Sequence, residues 1–178
     1  MTGYAELAAA TNYSFLRGAS HPADMVARAL ELGLAGIGIA DRNTVAGVVR
    51  AHIALRDAHK AAAEIGAPPP ALRLLVGARL VFADGTPDII AYPATRHGWG
   101  RLTRLLTTGN LRAAKGDCVL HLPDLLEFCD DLLLIVMASP GDAPLLGTLG
   151  QAAPGRVWIG VTMPRRGADR RRLARLMR

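Results

Sequence analysis

Five histidines, a few hydroxyls, two thiols and one aspartate pair are the groups from which this chain could build hydrolytic, nucleophilic or metal chemistry. Their spacing decides what each can do. His52 and His59 fall two turns apart on one predicted helix, whereas a helix-borne metal pair favours i, i+4. His21 and His97 stand at helix starts and His121 precedes Pro123, so each histidine reads as a solvated or core-edge imidazole. Ser14 and Ser139 have no histidine–acid partnership that would make either a nucleophile. Cys118 and Cys129 form no CxxC zinc pattern and read as free thiols. The glycines of Gly33-Leu-Ala-Gly36-Ile-Gly38 precede or lie within a strand, whereas a dinucleotide fingerprint places them after it, opening a helix. Asp130-Asp131 reads as a water-facing strand entrance.

Charge gives a second candidate chemistry. The chain carries 21 Lys and Arg against 15 Asp and Glu, a formal net charge of +6. Residues 156–178 hold eight of the arginines and a single acidic residue, Asp169, so the excess belongs to this basic tail and the remainder is nearly neutral. Arg165, Arg166, Arg170, Arg171, Arg172, Arg175 and Arg178 are therefore the expected, weak contacts to nucleic-acid phosphates. A solvated helix face is the plainer reading of the same run.

These residues sit on alternating strand and helix signals. Glu6–Ala10 is a short first strand. A helix follows from Ser20 to Leu32, with Ser20 as N-cap and Pro22 in the first turn. Ala35–Ala40 reads as a buried strand, and Asn43 as the cap of a helix running to about Ile65, ended by Pro68-Pro69-Pro70. Leu72–Phe82 and Asp88–Tyr92 flank a hairpin signal at Asp84-Gly85. Gly98–Thr108 is helical, Pro123–Phe128 a short helix, Leu132–Ala138 and Val157–Thr162 strands, and Asp169–Arg178 a basic helix. Such alternation implies βα units around a largely parallel sheet. The length suits one domain over residues 1–178, with an aliphatic core, since aromatics make up only 4%. Neither a secretory leader nor a membrane-spanning run is visible, so a soluble cytoplasmic location is expected.

The segment from Tyr4 to Ala19, followed by Ile39-Ala-Asp-Arg-Asn43, resembles the opening of the PHP (polymerase and histidinol phosphatase) domain of bacterial C-family DNA polymerases. There the first stretch runs roughly His-Leu-His-x-His-Ser-x-Tyr-Ser-Leu-Leu-Asp-Gly-Ala and the second Thr-Asp-His-Gly. Leu7, Thr11, Tyr13, Ser14, Leu16, Gly18, Ala19 and Asp41 keep the frame. Val76-Gly-Ala-Arg79 is similar to the family's Ile-Gly-x-Glu, and Ile89–Tyr92 with Gly98-Trp99 to a later strand and helix. The resemblance implies a distorted seven-stranded PHP-type βα barrel with its site at the C-terminal strand ends. That barrel would be incomplete here, because a whole PHP domain is longer.

The same resemblance implies a degenerate metal site. Ala8 and Ala10 replace paired histidines, Arg17 an aspartate, Arg42 a histidine and Arg79 a glutamate, while Glu6, Asp41 and, more loosely, Asp88 remain. Fixed guanidinium charges would repel a divalent ion, so these arginines are expected to pair with the leftover carboxylates, and no catalytic or metal-binding residue is assigned. The pattern is similar to the error-prone branch of the family, which acts in damage-induced mutagenesis and translesion replication. It implies the N-terminal piece of a DNA-directed DNA polymerase whose magnesium-binding palm carboxylates lie elsewhere, with no cofactor in this piece. Expected partners are DNA, accessory mutagenesis proteins and the sliding clamp. A PHP-type phosphoesterase or proofreading exonuclease is the alternative, and the lost ligand set argues against it.

Overall fold

Pro22 stands at the start of helix α1 (Pro22–Glu31), where its missing N–H leaves no bond unmade. The computed structural model describes residues 3–139, 141–161, 165 and 167–176. They fall in two compact units, Met1–Arg79 and Leu80–Arg178.

In the first unit, strands β1 (Ala5–Ala9), β2 (Gly36–Arg42) and β3 (Arg73–Leu80) form a parallel ladder with β2 in the middle. Helix α1 returns the chain from β1 to β2, and α2 (Val48–Glu64) returns it from β2 to β3. Six consecutive residues of β2 are buried, as expected of a strand covered on both faces. Ala9, Val26, Ala29, Ile37, Ile39, Ala51, Leu55 and Leu72 pack into one core cluster, aliphatic and alanine-rich as the composition predicts.

Two helix starts differ from expectation. The residue capping α1 is His21, one after Ser20, and its side chain makes no capping bond. Asn43 does not cap α2. It turns the chain out of β2 in the left-handed region (φ 48°), and α2 starts five residues later behind Gly47. Asparagine tolerates that conformation, so its turn preference outweighs its capping preference here.

The second unit contains β4 (Ile89–Pro93), α3 (Arg96–Arg112), α4 (Leu122–Phe128), β5 (Leu132–Val136), α5 (Ala143–Ala152), β6 (Val157–Ile159) and α6 (Asp169–Leu176). β5 and β6 are parallel, but β4 and β5 are antiparallel, an exception within the largely parallel order expected. Two helices, α3 and α4, separate β4 from β5, so the chain reverses once more than in a βα unit. Phe82 forms an isolated parallel bridge with Leu120, and β3 ends two residues earlier at Leu80. Helix α5 is an addition to the predicted elements. Leu102, Leu105, Leu120, Leu125, Leu132, Leu134 and Leu149 are fully buried in this unit's interior, beside Ile89, Ile90 and Val136. No helix among the described residues is long and apolar enough to cross a membrane.

Candidate functional site

Asp41 lies near the C-terminal end of β2 and is fully buried. Strand alternation sends the next side chain, Arg42, to the exposed side. The turn after β1 wraps over the carboxylate. Thr11 donates its backbone N–H to Oδ1 at 2.7 Å and its hydroxyl to Oδ2 at 2.8 Å. Ser14 donates its hydroxyl to Oδ1 at 2.6 Å, and its oxygen accepts the Arg42 N–H at 2.9 Å. Thr11 and Ser14 are themselves buried, and the Ser14 N–H donates to the Thr11 carbonyl at 2.9 Å. A buried carboxylate needs such donors, because desolvation without them is costly.

Two glycines let the backbone close on this cluster. A Cβ on Gly47 would stand 2.8 Å from Asp41 Oδ2 and 3.1 Å from Thr11 Oγ1. A Cβ on Gly18 would stand 2.3 Å from the Thr11 carbonyl oxygen and 2.4 Å from that of Ala10. The start of α2 and the end of the β1–α1 turn thus close on the Thr11–Ser14–Asp41 cluster from two directions.

Contrary to expectation, no guanidinium among the described residues is a hydrogen-bond partner of Asp41. Among the described residues, the carboxylate takes its bonds from Thr11 and Ser14, all neutral donors. The reason is geometric: Arg42 alternates outward, and Arg17 is exposed in the turn. Arg42 and Arg79 are register partners on adjacent parallel strands, and the Asn43 N–H donates to the Arg79 carbonyl at 2.9 Å. Glu6 is held locally, accepting from the Ala8 N–H at 2.7 Å and the Tyr4 hydroxyl at 2.9 Å. Asp88 belongs to the second unit, just before β4, where its carbonyl accepts from the Met137 N–H. Arg165 is exposed, Arg170, Arg171, Arg172 and Arg175 lie on α6, and Arg166 and Arg178 lie outside the described residues.

Residues at the family's ligand positions do not fit a metal. Both oxygens of Asp41 already accept hydrogen bonds, and Ala8 and Ala10 offer only methyl groups. Among the described residues, no three His, Cys, Asp or Glu side chains converge as ligands. The histidines are dispersed: His59 contacts the Pro70 carbonyl, His97 lies 3.4 Å from Asp131, and His121 precedes α4. Burial pushes both the Cys118 and Cys129 thiols up, disfavouring thiolate.

Sequence reasoning missed two arrangements. Thr11 and Ser14 read as parts of a frame, whereas they are the donors to Asp41; hydroxyls three apart beside a buried strand-end aspartate were the available signal. In the second unit, Arg112 binds Asp124 through two bonds of 2.5 and 2.6 Å, and the His121 N–H adds a third at 2.8 Å. The Arg112 guanidinium holds the Asp124 carboxyl below its ordinary range.

Alternating strands and helices with a cluster at the strand ends define an α/β domain of the PHP type, here with six strands among the described residues. The PHP domain pattern matches residues 6–157, and the chain belongs to that family. It is 53% identical over 173 residues to "Error-prone DNA polymerase 1" of Rhizobium meliloti (strain 1021), covering 94% of this chain and 14% of that protein. It is 50% identical over 183 aligned positions to "Error-prone DNA polymerase" of Rhodopseudomonas palustris (strain BisB5), covering 98% and 16%. The protein of the same name from Brucella abortus biovar 1 (strain 9-941) is also 50% identical, covering 100% and 16%. The chain thus spans about a seventh of the length of these relatives.

Proposed function

We propose that this chain is the PHP module of an error-prone DNA-directed DNA polymerase acting in damage-induced mutagenesis and translesion replication, with a structural and docking role rather than a catalytic one. The single observation that carries the reading is identity of 50–53%, over nearly the whole chain, to error-prone polymerases. The Asp41 cluster supports the structural part, because it spends a former ligand carboxylate on fastening the turn after β1. Nucleotidyl transfer would belong to magnesium-binding carboxylates in other segments of the polymerase. DNA would be the substrate, with accessory mutagenesis proteins and the sliding clamp as partners in the cytoplasm. The phosphoesterase reading is not favoured, since hydrolysis by that route needs converging imidazole and carboxylate ligands.

The test is a chimaera in which this chain replaces the matching segment of the Rhizobium meliloti enzyme. Primer extension should persist near the parent level. A chimaera that is soluble and folded but inactive, or an isolated chain that hydrolyses phosphodiesters with added manganese, overturns the proposal.

A further inference from the structure

Helix α3 carries Arg96, Arg101, Arg104 and Arg112 over 17 residues and no acidic residue, a local excess that the near-neutral balance outside the tail conceals. Its apolar side is buried through Leu102, Leu105 and Leu106. Two of the four guanidinium groups are already committed: Arg112 to Asp124, and Arg101 to the Glu127 carbonyl, the Phe128 ring and Asp130 at 3.4 Å. Arg96 and Arg104 are exposed and have no ion-pair partner among the described residues. Both lie on one open surface of the helix, together with His97, Gly100, Arg101, Thr103 and Thr107.

We infer that this face of α3 binds the phosphate backbone of a nucleic acid through Arg96 and Arg104. Eight residues separate them, about 12 Å at 1.5 Å per residue, too far to share one phosphate, so each arginine would meet a different phosphate. Arg96 lies in the first turn behind the Thr95 cap, so the positive end of the helix adds to its field. Thr103 and Thr107 donate their hydroxyls to helix carbonyls, and Arg101, which lines the same surface, is already paired, so Arg96 and Arg104 are its uncommitted guanidinium donors. No large apolar side chain lines it, which disfavours a protein partner with an apolar interface core and suits a polar, highly charged one. The inference rests on the polymerase reading only in taking DNA as the polyanion.

The experiment is fluorescence anisotropy of the whole chain with a 20-nucleotide single strand and the corresponding duplex across a salt series. R96E/R104E is compared with R50E/R73E, an equal charge change on α2 and β3. Loss of two phosphate contacts should weaken binding about tenfold at low salt and flatten the log–log salt slope by about 1.4 for the single strand and 1.8 for the duplex. R50E/R73E should keep the parent slope. R96Q/R104Q, which removes charge without reversing it, should show the same slope change and stands in if the glutamate variant fails to fold. Binding within twofold of parent in R96E/R104E, or equal losses in both pairs of variants, overturns the inference. So does poly-glutamate bound through Arg96 and Arg104 as tightly as the oligonucleotide, since that marks a site for acidic protein. None of these readouts depends on polymerase activity, so failure here is distinguishable from failure of the chimaera.

Discussion

Thr11 grips both oxygens of Asp41, its amide donating to Oδ1 at 2.7 Å and its hydroxyl to Oδ2 at 2.8 Å. With Ser14 at 2.6 Å, three neutral donors surround a carboxylate that lies thirty positions away from Thr11 in the chain. The arrangement ties the turn after β1 to the end of β2, at the place where the family would gather metal ligands. Asp41 therefore acts as a fastening point in the fold.

Removing that acceptor should be expensive. Asp41→Ala leaves two buried hydroxyls and one amide without it, and a loss of about 3 kcal/mol is expected in urea denaturation. Asp41→Asn keeps the shape but turns an amide NH₂ toward a donor, for about 1–3 kcal/mol. A denaturation midpoint unchanged in both variants would mean that water replaces the carboxylate without penalty.

Gly47 supplies an independent check on the same cluster. Gly47→Ala places a methyl 2.8 Å from Asp41 Oδ2 and should cost about 1–3 kcal/mol, as overpacking does. Gly147, inside α5, has open space where its Cβ would be, so Gly147→Ala should stabilise by about 0.5–1 kcal/mol. Thermal melts of the two variants should move in opposite directions.

The Arg112–Asp124 pair predicts a pH dependence. Arg112 holds the folded-state Asp124 carboxyl below its unfolded value of about 3.9. Its contribution is fully present above that unfolded value and is lost as pH falls through the lower folded one. Arg112→Met should therefore lower the urea midpoint at pH 7, and the gap to the parent should shrink below about pH 4. A gap that stays constant down to pH 2 would assign the effect to packing of the arginine stem.

Local signals carried most of the first unit. The apolar run at Ala35–Ala40, the prolines at 22 and 68–70 and the aliphatic composition anticipate β2, α1, the end of α2 and an alanine-rich core. Boundaries were lost where two preferences compete at one residue, as at Asn43. The antiparallel β4–β5 pairing was illegible, because strand direction depends on how many helices intervene, and only three residues separate α4 from β5. The depleted site was visible as missing ligands at Ala8 and Ala10. Its replacement was not, because the partners of Asp41 are fixed by the turn that brings Thr11 and Ser14 over β2, and charge arithmetic points to arginine instead. Charge counting along the chain points to the tail and conceals the arginines of α3, since acidic residues elsewhere cancel them in the sum.

Asp41 serves as a hydrogen-bond acceptor in a PHP frame where alanine stands at positions 8 and 10. Equilibrium dialysis of chelator-treated, tag-free protein against zinc and manganese tests it most directly. Well below one equivalent of either ion is expected, with the same result for Asp41→Asn. One or more equivalents retained by the parent chain and lost in Asp41→Asn would contradict it.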